Sequence, residues 1–134
     1  MSRENLELVR DAVAAYNRGD LEAFFEYWSD DIDHRAVEGA PDDHGPIHGK
    51  NAFRVYIEDW FQTFDDLRLE PLEMVDPSED KIVVVLRLSG RAKLSGVSTN
   101  LTYAALYTIR GGQIVRGREY WTRDEALEAA GLSE

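Results

Sequence analysis

Cysteine is absent from this chain of 134 residues, which excludes disulfides, thiolate nucleophiles and sulfur-ligated zinc or iron. Long hydrophobic runs are absent as well. No window approaches the roughly 18 consecutive apolar residues of a membrane span, and Met1-Ser2-Arg3-Glu4-Asn5 carries charge where a signal peptide needs an apolar stretch. Basic residues are scarce: 15 Lys and Arg stand against 26 Asp and Glu, a formal charge of −11, so phosphate backbones and anionic lipid would repel the protein. Nucleic-acid and membrane partners are therefore not expected, and a cytoplasmic location is.

What is present fits one folded domain over residues 1–134. Apolar residues make up 43% and charged residues 31%, a balance that can build a core and stay soluble. Ser2 is placed to cap a first helix whose Leu6, Val9, Val13 and Tyr16 share a stripe. Gly19 stops it, and Asp20 starts a short second helix with an apolar face of Leu21, Phe24, Phe25 and Trp28, ending at Ser29-Asp30-Asp31. Residues 32–50 hold Gly39, Pro41, Gly45, Pro46 and Gly49, so a long loop is expected after a brief strand over 33–37. A third helix begins near Lys50 and carries Phe53, Ile57, Trp60, Phe61 and Phe64 on one stripe.

Beyond Asp65-Asp66 the period becomes two. Pro71 marks an edge strand or a bulge between Leu67 and Val75. Ile82, Val84, Leu86 and Leu88 alternate toward one face, and a two-residue turn at Ser95-Gly96 returns the chain through Leu101, Tyr103, Ala105, Tyr107 and Ile109. That turn sets Tyr103 opposite Leu88 and Tyr107 opposite Val84. A further turn at Arg110-Gly111-Gly112 leads to a last strand, and a closing helix over 124–130 ends at Gly131. Helices followed by an antiparallel meander define an α+β order with the helices on one face of the sheet.

Five segments carry a resemblance: Tyr16-Asn17-Arg18-Gly19-Asp20-Leu21, Trp28-Ser29-Asp30-Asp31, Gly49-Lys50-Asn51-Ala52, Gly112-Gln113-Ile114-Val115 and Glu119-Tyr120-Trp121. Together they resemble the nuclear transport factor 2-like superfamily, and within it the SnoaL-like and ketosteroid-isomerase-like group. The resemblance implies a conical, cystatin-like α+β fold, with three N-terminal helices on a curved antiparallel sheet and a short C-terminal helix. It does not imply one activity, because the superfamily hosts isomerases, cyclases, hydrolases, dehydratases and binding modules. The isomerases' oxyanion-donating tyrosine, general-base aspartate and protonated aspartate fall at Ala12, Ala36 and Ala105, which removes that mechanism.

Other polar groups are candidates. In the related isomerases a tryptophan at the position of Trp121 lines the pocket, and alternation then carries Glu119, Gly117 and Val115 to the same side. A two-residue Gly111-Gly112 turn would instead send Arg116 and Arg118 inward. Burying one carboxyl costs less than burying two guanidiniums, so a three-residue loop is expected and Glu119 faces the core. His34, two residues before the position of the isomerase base, alternates toward the same cavity. Glu119 and His34 are the candidate catalytic pair; the alternative for each is a purely structural, hydrogen-bonded group. Tyr16, Trp28, Trp60, Phe64, Tyr103, Tyr107 and Trp121 are the candidate ligand-binding residues, a set suited to a flat or cyclic apolar molecule. His34, His44 and His48 with Glu38, Asp42 and Asp43 lack any metal-site spacing. No metal and no cofactor are expected.

Val83, Val85, Leu106 and Ile114 are expected on the sheet face away from the helices with nothing to cover them, which predicts a homodimer through that face, with Arg87 and Arg91 pairing across it or lying on its rim. Two functional classes remain open: an acid–base isomerase, cyclase or hydrolase acting on a cyclic apolar substrate, and a noncatalytic small-molecule-binding or dimeric interaction domain.

Overall fold

A computed structural model describes residues 2–131. The side chain of Ser2, and with it the expected cap, lies outside the described residues. The chain runs α1 (Ser2–Arg18), α2 (Leu21–Glu26), β1 (Trp28–Arg35), β2 (Ile47–His48), α3 (Lys50–Thr63), β3 (Phe64–Ser78), β4 (Lys81–Ala92), β5 (Ser98–Arg110), β6 (Gln113–Tyr120) and α4 (Arg123–Ala129). The strands form one curved, unclosed sheet in the order β2-β1-β6-β5-β4-β3. Among the described residues no helix is long and apolar enough to cross a membrane.

The first motif explains itself residue by residue. Tyr16 is buried against Phe61 and Phe24. Asn17 clamps α1 to the sheet: its amide donates to the Leu69 carbonyl at 2.9 Å while its oxygen accepts from the Leu69 amide at 2.8 Å. Gly19 ends α1 at φ +74°, and the Asp20 carboxylate caps α2 by accepting from the Ala23 amide.

The inner face of β4 and β5 is the one the alternation predicts, with Ile82, Val84, Leu86, Leu88, Ala105 and Tyr107 buried beneath α1 and α3. The register differs. Leu86 pairs with Tyr103 and Leu88 with Leu101, because the hairpin loop is four residues, 93–96, closed by the Ala92 amide donating to the Val97 carbonyl. A shift of two residues keeps every side chain on its face. β3 is an edge strand with a register shift after Pro71, as the proline requires.

Four expectations are corrected. Trp28 is the first residue of β1 rather than the last of a helix, and pairs with Ile114; the strand expected over 33–37 therefore starts five residues earlier. Phe64 is extended (φ −126°, ψ 145°) and opens β3, because α3 stops at Thr63. The sheet is not wholly antiparallel: β1 runs parallel to β6, a pairing that no hairpin constrains because most of the chain lies between them. The outer face is also covered. α4, capped by Thr122 with a reciprocal Glu125 bond, packs Ala126 and Leu127 on Val83, Ala104 and Leu106. Ile114 faces the inner core, while Arg87 and Arg91 pair with Glu70 and Asp66 of the adjacent strand. The patch on which the expected homodimer rested is thus occupied by the chain's own helix.

Candidate functional site

The turn before β6 has two residues, Gly111 (φ +60°) and Gly112 (φ +77°), not the three expected. Consecutive positive φ values suit a tight hairpin turn that glycine alone adopts freely. Alternation would then have turned Arg116 and Arg118 inward. A bulge intervenes: Ile109 pairs with Ile114 and Thr108 with Arg116, so Val115 is an extra residue and the parity flips. Glu119 therefore faces inward, opposite Ala105. The small side chain of Ala105, buried opposite it, leaves room for the carboxyl.

Around Glu119 lies a cavity of about 80 Å³. Val9, Ala12 and Tyr16 of α1 close one side and Phe53, Tyr56 and Trp60 of α3 another, with Tyr103 and Tyr107 of β5 beneath. His34, 2% exposed, enters from β1 across from Gly117. A Cβ at Gly117 would lie 2.7 Å from His34 Nδ1 and 3.3 Å from the Tyr107 ring, so glycine is what lets the imidazole lie flat on β6. His34 Nε2 is 3.5 Å from Glu119 Oε2, within ion-pair range but without hydrogen-bond geometry. Both His34 nitrogens and Trp28 Nε1 are buried with no protein hydrogen-bond partner. Burial, and after it the Glu119 carboxylate, pushes the phenols of Tyr16, Tyr56, Tyr103 and Tyr107 well up, so these tyrosines stay neutral donors through the physiological range.

Residues 36–46 roof the cavity through Val37, Ala40 and Asp42. Arg35 holds this loop, donating from Nε and Nη2 to the two Asp43 carboxylate oxygens at 3.1 Å each, while the Gly39 and Gly45 amides donate to the same carboxylate. Those bonds hold the Asp43 carboxyl well below the usual carboxylate range. From the roof Asp42 accepts the Tyr56 hydroxyl at 2.7 Å.

Of the residues singled out from sequence, Glu119, His34, Tyr16, Trp28, Trp60, Tyr103, Tyr107 and Trp121 line this one cavity, Trp121 at its rim with 47% exposure. Phe64 does not: it stacks on Trp60 at 5.3 Å and faces a separate outer groove beside α3. His44 lies in that groove, and His48 approaches Asp33 on the outer face. Among the described residues no group of three His, Asp or Glu is placed to hold a metal. Phe53, Tyr56 and Asp42 also line the cavity and are not among the ligand-binding residues expected from sequence. Tyr56 was legible as the residue one turn after Phe53 and one before Trp60; Asp42 reaches the cavity through a loop fold that no periodicity encodes.

The SnoaL-like domain family matches residues 9–117, and the chain belongs to that family; its fold is shared by a nuclear transport factor 2-like protein of Burkholderia pseudomallei, at a TM-score of 0.77 and 22% identity over 93% of this chain and 95% of that one. An uncharacterised protein of Mycobacterium tuberculosis is 29% identical over 126 residues, covering 93% of this chain and 94% of its own. A second M. tuberculosis protein, solved in complex with estradiol-17β-hemisuccinate, superposes with a TM-score of 0.78 at 20% identity, over 90% of this chain and 95% of that one. A Catenulispora acidiphila protein with a ketosteroid isomerase-like fold, in complex with trimethylamine, gives 0.73 at 16% identity, over 95% and 94%.

Proposed function

We propose that the cone binds a small, largely apolar molecule in the cytoplasm and that Glu119 with His34 acts on it as a general acid–base pair. One observation carries this reading: a carboxylate and an imidazole meet at 3.5 Å inside an aromatic cavity, while the hydrogen-bonding capacity of the imidazole is unused by the protein. Structural polar groups in a core are normally satisfied by their own chain, at a cost of about 1–3 kcal/mol when they are not. His34 and Glu119 both line the cavity, where a reacting molecule would meet polar groups that the chain itself has not saturated. The three alanines at the isomerase positions argue for a different placement of the base, on β6 rather than β1. The ligands held by the two solved relatives, a steroid ester and trimethylamine, are too unlike for fold similarity to choose a substrate here.

Trp28, Trp60 and Trp121 all line the cavity, so tryptophan emission reports occupancy directly. Neutral cyclic ketones, lactones and epoxides are expected to shift that emission and raise the melting temperature. Glu119→Gln should keep binding within a few-fold and lose turnover by about 10²–10⁴. Turnover undiminished in Glu119→Gln would refute the acid–base pair. A ligand that binds wild type and variant alike, with turnover by neither, would make the protein a binding domain.

A further inference from the structure

We infer that the molecule this cavity takes carries a positively charged, alkyl-substituted ammonium group, seated against Glu119 and walled by aromatic rings. The inference rests on the cavity being a ligand site and adds the chemical class of the ligand. Among the described residues the ionisable groups lining the cavity, tyrosines aside, are Asp42, Glu119 and His34, with no Lys or Arg. Asp42 already accepts the Tyr56 hydroxyl. Glu119 has no such donor. The cation nearest it in sequence, Arg118, is turned to the outer face and committed in a bidentate pair to Asp33. His34 is poorly suited to be the permanent counter-charge, because a charged ring would bury an Nδ1–H with no acceptor.

The walls say the same. Tyr16, Trp28, Phe53, Tyr56, Trp60 and Tyr107 line the space around this one carboxylate. Aromatic faces are the negative end of a ring quadrupole, so a box of them attracts a diffuse cation and repels an anion. An alkylated ammonium suits both wall and floor, since its methyl groups bury apolar area while its charge meets the carboxylate. A free volume of about 80 Å³, two to three waters' worth at ~30 Å³ each, takes a compact alkylated ammonium head alone, so its stem must leave past Trp121 at the rim. The formal charge of −11 adds a long-range pull on cations.

The test uses the full chain with two probes of one shape: choline, and its carbon isostere in which a quaternary carbon replaces the nitrogen. Each is titrated by tryptophan emission and thermal shift at neutral pH. Choline is expected to bind on the order of tenfold or more tighter than the isostere, and Glu119→Gln to reduce that preference to less than about threefold. The wild-type comparison needs no variant, so it stands even where Glu119→Gln fails to fold. Equal affinity for the two probes overturns the ammonium assignment and leaves the cavity a site for neutral apolar molecules. Binding of cyclic ketones with no binding of choline does the same. If none of these molecules shifts emission or melting, both the ammonium assignment and the pocket reading beneath it fall.

Discussion

Arg118 and Glu119 are consecutive residues on opposite faces of β6, and the two faces treat charge in opposite ways. Arg118 donates to both Asp33 carboxylate oxygens at 3.0 Å and to the carbonyls of Asp33 and Gly117; Arg116 and His48 approach the same carboxylate at 3.8 and 3.7 Å. Glu119 has a single approach, from His34, among tyrosines with raised phenol pKa values. Outside, charge is consumed by the chain and ties β1 to β6. Inside, it is left open at a cost to the fold.

The largest expected effect tests the dryness of the inner face. Tyr16, Tyr56, Tyr103 and Tyr107 hold their phenol protons far above the ordinary value near 10. Above pH 10 the unfolded chain releases protons that the native protein keeps, so unfolding becomes more favourable as pH rises, by about 1.4 kcal/mol per pH unit for each such tyrosine. Four together remove roughly 5 kcal/mol by pH 11. Melting temperature should fall steeply from pH 10, with tyrosinate absorbance from these four growing only as the protein unfolds. Ionisation of all six tyrosines in a still-folded protein would mean that the cavity is wet and the faces do not differ.

Next in size is Gly117→Ala, which places a methyl carbon 2.7 Å from His34 Nδ1 and against the Tyr107 ring. Overpacking of this kind costs about 1–3 kcal/mol, and the displaced imidazole should lose its approach to Glu119. Calorimetry and a histidine NMR titration would read the two effects. Unchanged stability with an unmoved imidazole resonance would show that the close fit is incidental.

The sharpest contrast pairs Arg118→Ala with Glu119→Gln. Removing Arg118 strips Asp33 of its bidentate partner and should cost about 1–3 kcal/mol, less than a fully buried pair because Asp33 is one-third exposed. Glu119→Gln keeps size and removes an open charge, so its unfolding free energy should stay within about 0.5 kcal/mol of wild type or rise. Equal losses in the two variants would make Glu119 a structural residue like its neighbour.

How far this contrast could be read from sequence depends on the kind of information each part needs. The inner faces of β4 and β5 were legible because Ile82, Val84 and Leu86 alternate with period two against Tyr103, Ala105 and Tyr107. Loop length was not: the hairpin has four residues rather than two, and an even error left the faces intact. At β6 the two-glycine turn and the Val115 bulge together send Glu119 inward, as the expected three-residue loop would have done. The spacing of Trp28 from Leu21, Phe24 and Phe25 is helical, and strand pairing with Ile114 overrides it. The docking of α4 on Val83 and Leu106 and the entry of Asp42 into the cavity are long-range placements, invisible to any local pattern.

The smallest expected effect lies where the two faces meet, in the roof. Arg35 leaves the end of β1 and grips Asp43, whose carboxylate also takes the Gly39 and Gly45 amides, so the loop holding Asp42 over the cavity is fixed from outside it. Because the folded Asp43 carboxyl titrates well below its unfolded value, its contribution is present above the unfolded pKa near 4 and disappears only as pH falls through the lower folded one. The staple should therefore survive mild acid. Asp43→Asn removes the charge and one acceptor while sparing every cavity-lining side chain, so global melting should hardly change. What should change is access: amide exchange across residues 38–46 should speed up and bound ligand should leave faster, with little effect on the arrangement of Glu119 and His34. Exchange in that segment as slow as in wild type would mean that Pro41, Pro46 and the Tyr56–Asp42 bond hold the roof without Arg35, and that the outer charges end their influence at the sheet.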